Sequence, residues 1–369
     1  MEERVITLIV TQDCQLACKY CYCVRKNHTH SMSLNTACRA VDFSLGILME
    51  ECYKGVVIYD FIGGEPLLET ELIKKTADYI RQKFNAAQFE KLDYRFRIST
   101  NGLLYNSEKV QQLVNEYRDV ISVSISIDGD KTKNDLNRIF PNGVGSYDFI
   151  INNVKLWISQ FPDALTRVTV SSEDLKYLSE SVRNLIEIGL KRFDISIVVE
   201  NVWKDGDDKI LESQLISLAD YLFDNGIEDD VYISAFEYNI GQPQDLNETA
   251  RPCGGMTMAI DSEGNIYNCL RFSQFALTNK KARLLGNIFS DYKPNRMRPL
   301  LSMDYYSAYP DQCKQCGVAT GCKICPAESY DSSFTGSIFD RSTAICKMHK
   351  AKVRAKNYYW NKYHNLNRK

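Results

Sequence analysis

Short apolar, β-branched segments alternate with longer amphipathic segments from residue 5 to about residue 200. The predicted strands are Val5–Thr11, Val56–Ile62, Tyr94–Thr100, Ile121–Ile127, Arg167–Ser171 and Phe193–Val199. Apolar residues at helical spacing predict helices near Asn35–Met49, Glu69–Lys83, Ser107–Tyr117, Ser146–Gln160, Asp174–Ile188 and Ser213–Asn225. This alternation is typical of a parallel α/β architecture. Six β/α units predict a partial, TIM-like (β/α)6 barrel rather than a closed barrel of eight.

The alternation stops near residue 230, where short strands, turns and cysteines replace it. A polar stretch at Glu237–Glu248 predicts the boundary between the two regions. We therefore expect a core domain at 1–236, a cysteine-rich domain at 237–347 and a separate C-terminal helix at 348–369. With 369 residues the chain is long enough to bury a large core and an appended module.

The C-terminal stretch from Cys346 to Lys369 combines eight Lys and Arg residues with several aromatic residues and has no acidic residue. Basic and aromatic residues together occur in nucleic-acid-binding segments. Five residues of this stretch recur at helical spacing and would lie on one face of a helix: Val353, Lys356, Tyr359, Trp360 and Tyr363. The pattern favours a helix that packs by its aromatic face, while docking of an acidic peptide remains an alternative.

Composition limits the classes of partner. The formal net charge of −2 argues against nucleic acid as a partner. No stretch approaches the roughly 18 apolar residues of a membrane span, and no charged-then-apolar leader follows Met1. These features predict a cytoplasmic protein without a membrane association. Thirteen cysteines in a large chain favour metal ligation over a disulfide framework.

The first cysteine group consists of Cys14, Cys18 and Cys21, directly after the first predicted strand. Three thiolates at this spacing would hold a [4Fe–4S] cluster and leave one iron open to another ligand. Zinc is the alternative, with Cys23 as a fourth ligand. No second cysteine pair follows within the next stretch of chain, so the cluster is favoured. Cys38 and Cys52 are interpreted as small buried apolar residues.

Further candidate residues follow the other predicted strands. Gly63-Gly64-Glu65-Pro66 ends the second strand, Ser99–Gly102 the third and Ser126–Gly129 the fourth. Loops at the carboxyl edge of parallel strands build the sites of such folds. The glycine pair allows a ligand to approach the backbone closely. Ordinary turn formation is the alternative reading of all three motifs.

A second cysteine group lies in the C-terminal third: Cys253, Cys269, Cys313, Cys316, Cys322, Cys325 and Cys346. Four of these, between 313 and 325, could alone form a zinc ribbon. Seven cysteines are too many for one metal ion and one short of two fully ligated [4Fe–4S] clusters. Around Cys269 the sequence predicts a hairpin with Glu-Gly-Asn at its turn.

The cysteine spacing Cys-x3-Cys-x-Tyr-Cys, followed by the glycine motif, resembles the radical S-adenosylmethionine (SAM) enzymes. That resemblance implies that Cys14, Cys18 and Cys21 hold the catalytic cluster and that the glycine motif binds the methionyl amino group. Tyr20 would border the adenine. Contacts with the ribose and the carboxylate are implied for Ser99, Asn101, Ser126, Asp128, Arg138 and Ser171.

The later cysteines resemble the SPASM extension of radical SAM peptide-modifying enzymes. The resemblance implies two auxiliary [4Fe–4S] clusters, three with the SAM cluster. The distal one would use Cys313, Cys316, Cys322 and Cys346, and the nearer one Cys253, Cys269 and Cys325, with an open position. The spacing Cys322-x2-Cys325 is one residue shorter than usual for this extension, so one cluster plus zinc remains the alternative.

The implied reaction begins with reductive cleavage of SAM to a 5′-deoxyadenosyl radical, which removes hydrogen from a peptide carbon. We expect maturation of a ribosomally synthesised peptide, with a cysteine thioether crosslink of the sactipeptide or ranthipeptide type. The chain's ending also resembles maturases of Cys-x-x-x repeat peptides. Carbon–carbon crosslinking, epimerisation and formylglycine-type oxidation are alternatives, although Leu270 occupies the position of the formylglycine base. A non-catalytic zinc module is the rival class.

The partners implied are a precursor peptide and an external one-electron reductant of flavodoxin or ferredoxin type. Many peptide maturases carry a winged-helix domain that binds the leader peptide, but here the first strand begins by residue 5. We therefore expect the leader to bind at the barrel rim, at the basic C-terminal helix or on a separate protein.

Overall fold

The computed structural model describes residues 2–242, 257–303, 310–319, 322 and 325–366. These residues form two compact units, neither of which is continuous in sequence. The first unit comprises residues 2–15, 21–124 and 257–303, and the second comprises 16–20, 125–242 and the described residues from 310 onward. Part of the predicted boundary, residues 243–248, lies outside the described residues, as does Cys253.

The strands are β1 Glu3–Thr11, β2 Gly55–Gly63, β3 Leu92–Thr100, β4 Ile121–Ile125, β5 Leu165–Val170, β6 Arg192–Ile197, β7 Tyr232–Ile233, β8 Thr257–Ile260, β9 Asn265–Tyr267 and β10 Gly286–Asn287. The α-helices are α1 Leu34–Glu50, α2 Thr70–Phe84, α3 Glu108–Glu116, α4 Lys131–Asn137, α5 Tyr147–Gln160, α6 Leu178–Glu187, α7 Asp207–Asp224, α8 Arg298–Leu301, α9 Asp311–Lys314, α10 Pro326–Ser332 and α11 Cys346–Leu366.

Within the described residues, the first unit contains a sheet with the strand order β10-β9-β8-β1-β2-β3-β4. β1 lies in its middle and pairs in parallel with both β2 and β8. Its last six residues, Ile6–Thr11, are all buried. A parallel strand covered on both faces needs such a continuous buried run rather than alternation. The end of β1, where the cysteine loop starts, is therefore firmly held.

The second unit contains the parallel strands β5, β6 and β7, in that order. Helices α6 and α7 follow β5 and β6 along the chain. Leu211, Leu215, Leu218 and Leu222 of α7 are fully buried, with the spacing of one helix face.

All six predicted strands and six predicted helices are present, and the α/β fold class is confirmed. Several boundaries differ by about two residues, and the largest difference is that α7 begins at Asp207 rather than at Ser213. β4 ends at Ile125 rather than Ile127. The helix predicted from Asp174 begins as a 3-10 turn at Leu175–Tyr177 and becomes α-helical at Leu178. The predicted hairpin is confirmed, since β8 and β9 pair antiparallel and Gly264 has φ +82° in their turn.

The packing predicted for the C-terminal helix is confirmed by the contacts of α11. The Tyr359 ring stacks on Phe236 with a centroid distance of 4.6 Å, and Trp360 Nε1 donates to the Phe236 carbonyl at 2.8 Å. The basic residues of α11 pair with acidic residues of α7: Arg354 with Glu212 at 2.7 Å and Lys362 with Asp220 at 2.6 Å. An acidic partner for these cations is thus present within the same unit.

One prediction about single cysteines is wrong. Cys52 is exposed, because it occupies a turn after α1 with φ 52°, and Cys38 is only half-buried. Within the ranges given above, none of the helices combines the length and apolar character that crossing a bilayer requires.

Candidate active site

The predicted front cysteines lie in the loop that follows β1. Cys14 is buried, whereas Cys18 and Cys21 are half-buried, and all three are free thiols. Cys23 lies against Cys21, and their hydrogen bond, together with burial, raises the pKa of the Cys23 thiol. Three thiols within eight residues of one loop are a donor set that fits an iron–sulfur cluster.

The glycine pair after β2 packs directly against this cysteine loop. Gly64 N donates to the Thr11 carbonyl at 3.1 Å, and Glu65 N donates to the Asp13 carbonyl at 2.7 Å. A Cβ atom on Gly63 would lie 2.2 Å from the Thr11 oxygen, and one on Gly64 would lie 2.1 Å from the Asp13 oxygen. Glycine is therefore required here for the approach of two backbones, a reason that the sequence did not reveal.

Glu65 fixes the loops after β2 and β3 to each other. Its side chain is 1% exposed, and Oε1 accepts from Leu67 N at 3.0 Å and from Thr100 Oγ1 at 2.6 Å. Oε2 accepts from Asn101 N at 2.7 Å. Pro66 begins a 3-10 helix directly after this residue. Thr100 was overlooked in the sequence, although it stands inside the quoted motif.

Asn101 reaches the cysteine loop, and Ser99 does not. Asn101 Nδ2 lies 3.9 Å from Cys14 Sγ and donates to Gln15 Oε1 at 3.2 Å. Its Oδ1 accepts from Leu103 N at 2.9 Å. Ser99 is exposed, because alternate side chains of β3 point to opposite faces and Thr100 occupies the buried one.

In the second unit, Tyr20, Asp128 and Arg138 form one cluster. The Tyr20 hydroxyl donates to Asp128 Oδ2, and Arg138 Nε lies 3.1 Å from the same oxygen. The Arg138 guanidinium also lies over the Tyr20 ring, 5.8 Å from its centroid. Asp128 Oδ1 accepts from Thr169 N at 2.9 Å. Asp128 is fully buried, and it orients Tyr20 and Arg138.

The electrostatics of this cluster fix the charge of two groups. Burial raises the pKa of Tyr20 well above its ordinary value, and Arg138 opposes this shift while Asp128 and Cys18 add to it. Burial alone would lower the pKa of Arg138, but electrostatic interactions with Asp128, Tyr20 and Cys18 outweigh burial and raise this pKa above its ordinary value. Tyr20 is consequently neutral and Arg138 is charged beside Cys18.

A buried network next to this cluster was missed in the sequence. Lys133 Nζ lies 2.9 Å from Asp174 Oδ2, both side chains are fully buried, and Nζ also donates to the Thr169 carbonyl at 2.7 Å. Asn137 Nδ2 donates to Asp174 Oδ2 at 2.9 Å. Ser171 donates to Asp174 Oδ1 from its backbone N at 2.7 Å and from its hydroxyl at 3.2 Å, so it belongs to this network. The sequence signal for this network was the four-residue spacing of Lys133 and Asn137, which places both side chains on one face of a helix.

The end of α4 holds the middle of the cysteine loop. Lys19 N donates to the Asn137 carbonyl at 3.1 Å, and Ala17 N donates to the Ile139 carbonyl at 2.7 Å. Cys18 stands between these two hydrogen bonds. Ser126 is half-buried and forms an isolated parallel bridge with Arg167.

Three of the later cysteines are carried on successive tight turns. Cys316 N donates to the Cys313 carbonyl at 3.1 Å, Ala319 N to the Cys316 carbonyl at 3.1 Å, and Cys322 N to the Ala319 carbonyl at 3.0 Å. Cys346 begins α11. Burial raises the pKa of the Cys322 thiol; Arg341 opposes that shift, and Cys346 and Cys313 add to it. Cys313 therefore lies within electrostatic reach of the other three cysteines predicted for this cluster, since Cys316 also acts on it.

The three cysteines predicted for the nearer cluster are more dispersed in the chain. Cys325 Sγ accepts from Glu328 N at 3.5 Å at the start of α10. Cys269 precedes a 3-10 helix, Leu270–Phe272, in which Leu270 is buried. Arg271 of that helix lies over the Tyr22 ring at 4.5 Å. Among the described side chains, no three His, Cys, Asp or Glu residues converge closely enough to ligate a single ion.

Comparison with known proteins identifies a family for the first half of the chain. Residues 8–185 match the model of the Radical SAM superfamily. An uncharacterised protein of Methanocaldococcus jannaschii is 34% identical over 194 residues, which cover 52% of this chain and 62% of that protein. A serine-type anaerobic sulfatase-maturating enzyme of Bacteroides thetaiotaomicron is 23% identical over 360 residues, 88% of this chain and 82% of the enzyme.

Solved structures extend the similarity of fold to nearly the whole chain. Native anSMEcpe with bound AdoMet (SAM) superposes with a TM-score of 0.74 at 18% identity, covering 99% of each chain. Streptococcus suis SuiB bound to the precursor peptide SuiA superposes with a TM-score of 0.59 at 16% identity, covering 89% of this chain and 72% of SuiB.

Proposed function

We propose that this chain is a radical SAM enzyme, since its residues 8–185 match the Radical SAM superfamily, and that it uses SAM for the radical modification of a peptide. The observation that carries the proposal is the packing of Gly63 and Gly64 against the cysteine loop. This packing brings a three-thiol loop and a rigid glycine backbone to one place.

Under this proposal Cys14, Cys18 and Cys21 hold a [4Fe–4S] cluster, and the backbone of Gly63–Pro66 binds the methionyl amino group. Cluster and SAM, when bound, supply a 5′-deoxyadenosyl radical able to remove a hydrogen atom from carbon. Glu65 keeps the glycine backbone in place, since its carboxylate already accepts hydrogen bonds from three donors. We propose that Arg138 contacts the carboxylate of SAM and that the ring of Tyr20 borders the adenine.

A peptide is the proposed substrate class for two reasons. One relative is a sulfatase-maturating enzyme, and one solved structure of similar fold contains a precursor peptide. The second reason is the cysteine-rich C-terminal region, for which we propose a SPASM domain with two auxiliary clusters. Our proposed domain limits remain 1–236, 237–347 and 348–369.

The bond that we propose is a cysteine thioether, as in peptides with Cys-x-x-x repeats. Cys253, Cys269 and Cys325 provide only three thiolates, so a substrate cysteine has a position to occupy. Leu270 is apolar and buried, and it offers no carboxylate to act as the base of formylglycine formation. A thioether between cysteine sulfur and carbon replaces one S–H and one C–H bond, so the peptide loses two hydrogen atoms. One would leave as a hydrogen atom in 5′-deoxyadenosine, and the other as a proton whose electron an iron–sulfur cluster would accept.

The proposed partners are the precursor peptide and a flavodoxin- or ferredoxin-type reductant. Since α7 neutralises cations of α11, we favour the barrel rim or a separate protein for leader recognition. The twelve cysteines of the described residues are all free thiols, which suits a reducing compartment, and we propose the cytoplasm.

The test is anaerobic co-expression with candidate cysteine-containing peptides, beginning with any short reading frame that lies beside the gene. We expect the peptide to lose two hydrogen atoms by mass spectrometry, and its linked cysteine to resist alkylation by iodoacetamide. Purified enzyme with SAM and dithionite should release 5′-deoxyadenosine.

A variant with Ala at Cys14, Cys18 and Cys21 is the control and should give neither product. Release of 5′-deoxyadenosine without any change in the peptide would contradict the proposed substrate. An alkylatable cysteine in a peptide that has lost two hydrogens would contradict the thioether and favour a carbon–carbon crosslink.

A further inference from the structure

Arg341 lies in the loop between α10 and α11 and contacts a predicted cluster ligand. Its Nη2 donates a hydrogen bond to Cys322 Sγ at 2.8 Å. The side chain is half-buried, so this contact is made partly out of water. A charged donor on sulfur is an interaction of the kind that orients metal ligands and tunes the metal centre.

The charge of Arg341 reaches more than one thiol. It acts electrostatically on both Cys313 and Cys322, and Cys346 acts on the same two thiols. The guanidinium therefore acts on two of the four thiols predicted to hold this cluster. Lys350 also acts on Cys313, but Lys350 is exposed and its charge is accessible to solvent.

Arginine is suited to a permanent role of this kind. Its guanidinium stays protonated at all physiological pH values, and it has no acceptor that could reverse the hydrogen bond. Reduction adds one negative charge to an iron–sulfur cluster. A fixed positive charge and a donated hydrogen bond stabilise that added charge, so both raise the reduction potential.

We propose that Arg341 is a positioning residue that raises the reduction potential of the cluster held by Cys313, Cys316, Cys322 and Cys346. The inference rests on the proposed function in so far as that function assigns a cluster to these four cysteines. It concerns the ease with which this cluster takes up an electron, and no other cluster of the chain.

The experiment is a redox titration of the full-length, reconstituted protein, followed by electron paramagnetic resonance without SAM or peptide. In Arg341→Gln we expect the ratio of reduced to oxidised form of one cluster to be about tenfold lower at a fixed potential. For a one-electron couple this corresponds to a midpoint about 59 mV more negative. The other midpoints should not move. Arg341→Lys keeps the charge but loses the planar donor, so it should lower the midpoint by less.

Lys350→Met is the matched control, since it removes one positive charge that acts on Cys313 without breaking a hydrogen bond to sulfur. Its midpoint should stay close to that of the wild type. An unchanged midpoint in Arg341→Gln, with iron content intact, would overturn the proposal. If Arg341→Gln loses iron, the titration of Arg341→Lys replaces it as the test. An unchanged midpoint potential in Arg341→Lys then overturns the proposal.

This test separates the inference from the proposed function. Iron content and midpoint potentials are measured without a peptide, so a wrong peptide assignment leaves the result standing. A protein that binds only the four irons of the SAM cluster would overturn the inference while leaving SAM cleavage intact.

Discussion

At the scale of single residues, Gly64 shows how tightly the candidate site is assembled. The position of its missing Cβ lies 2.1 Å from the Asp13 carbonyl oxygen and 3.0 Å from Cys14 Cβ. The nearest atoms include backbone, which cannot swing aside as a flexible side chain could. Any side chain at this position must therefore displace the cysteine loop.

We expect Gly64→Ala to abolish SAM cleavage and to lower the iron content of the anaerobically reconstituted protein by about four atoms. The added methyl group pushes the loop that carries Cys14 away from the glycine backbone. Iron analysis and 5′-deoxyadenosine release measure the two effects.

Gly46→Ala provides the control, because nothing lies within 4 Å of its Cβ position in α1. This variant should keep full iron content and be slightly more stable, since alanine favours a helix over glycine. Full activity in Gly64→Ala would show that the close approach of the two loops is dispensable.

At the scale of elements, the position of α4 depends on an ion pair that no solvent reaches. Lys133 and Asp174 are both fully buried at 2.9 Å, and Asn137 at the end of α4 shares the same carboxylate. The same end of α4 accepts the backbone hydrogen bond from Lys19 of the cysteine loop. A substitution that disrupts this network should therefore also displace the cysteine loop.

We expect Lys133→Met to lower the free energy of unfolding by about 3–5 kcal/mol, because it leaves the Asp174 charge buried without its cation. Chemical denaturation measures the change. Lys109→Met removes a cation from a solvent-exposed pair with Glu71 and should cost no more than about 1 kcal/mol.

The double variant Lys133→Met, Asp174→Leu tests the cause. If the unpaired charge is responsible, removing it should restore part of the lost stability. A double variant less stable than Lys133→Met would instead assign the loss to the hydrogen bonds that Asp174 accepts from Ser171 and Asn137.

At the scale of the whole molecule, the thirteen cysteines predict the metal content. We expect about twelve iron atoms and matching sulfide per chain after anaerobic reconstitution. With Ala at Cys14, Cys18 and Cys21, the iron content should fall to about eight while the remaining iron–sulfur absorption persists. About eight irons plus one zinc in the wild type would favour the alternative of a single auxiliary cluster.

Much of the fold could be predicted from local patterns. The strand from Val5 and the helix containing Val353 and Tyr359 were predicted close to their observed limits, because periodicity within one element reports which face is buried. Helix α4 was not predicted, since its seven residues are too short to show a period. The pairing of β8 with β1 was also not predictable, because the sequence of a strand does not specify which strand lies beside it.

The candidate site likewise contains residues that the sequence could predict and residues that it could not. Cys14, Cys18 and Cys21 lie within eight residues, so their spacing could be interpreted without any structure. The roles of Glu65, Asp128 and Asp174 could not, because each carboxylate binds donors far away in sequence. Glu65 accepts from Asn101, 36 residues on, and Asp128 accepts from Tyr20, 108 residues back.

By itself, the sequence determined the α/β alternation, the cysteine groups and the glycine motif at the end of the second strand. Each of these is a short-range property of the chain. Only the tertiary structure decided why both glycines are required, which carboxylates organise the site and that Arg341 contacts Cys322. Such pairings depend on strand register and loop packing, as in the alignment of Ile9 with Ile62, and these form only when distant segments meet.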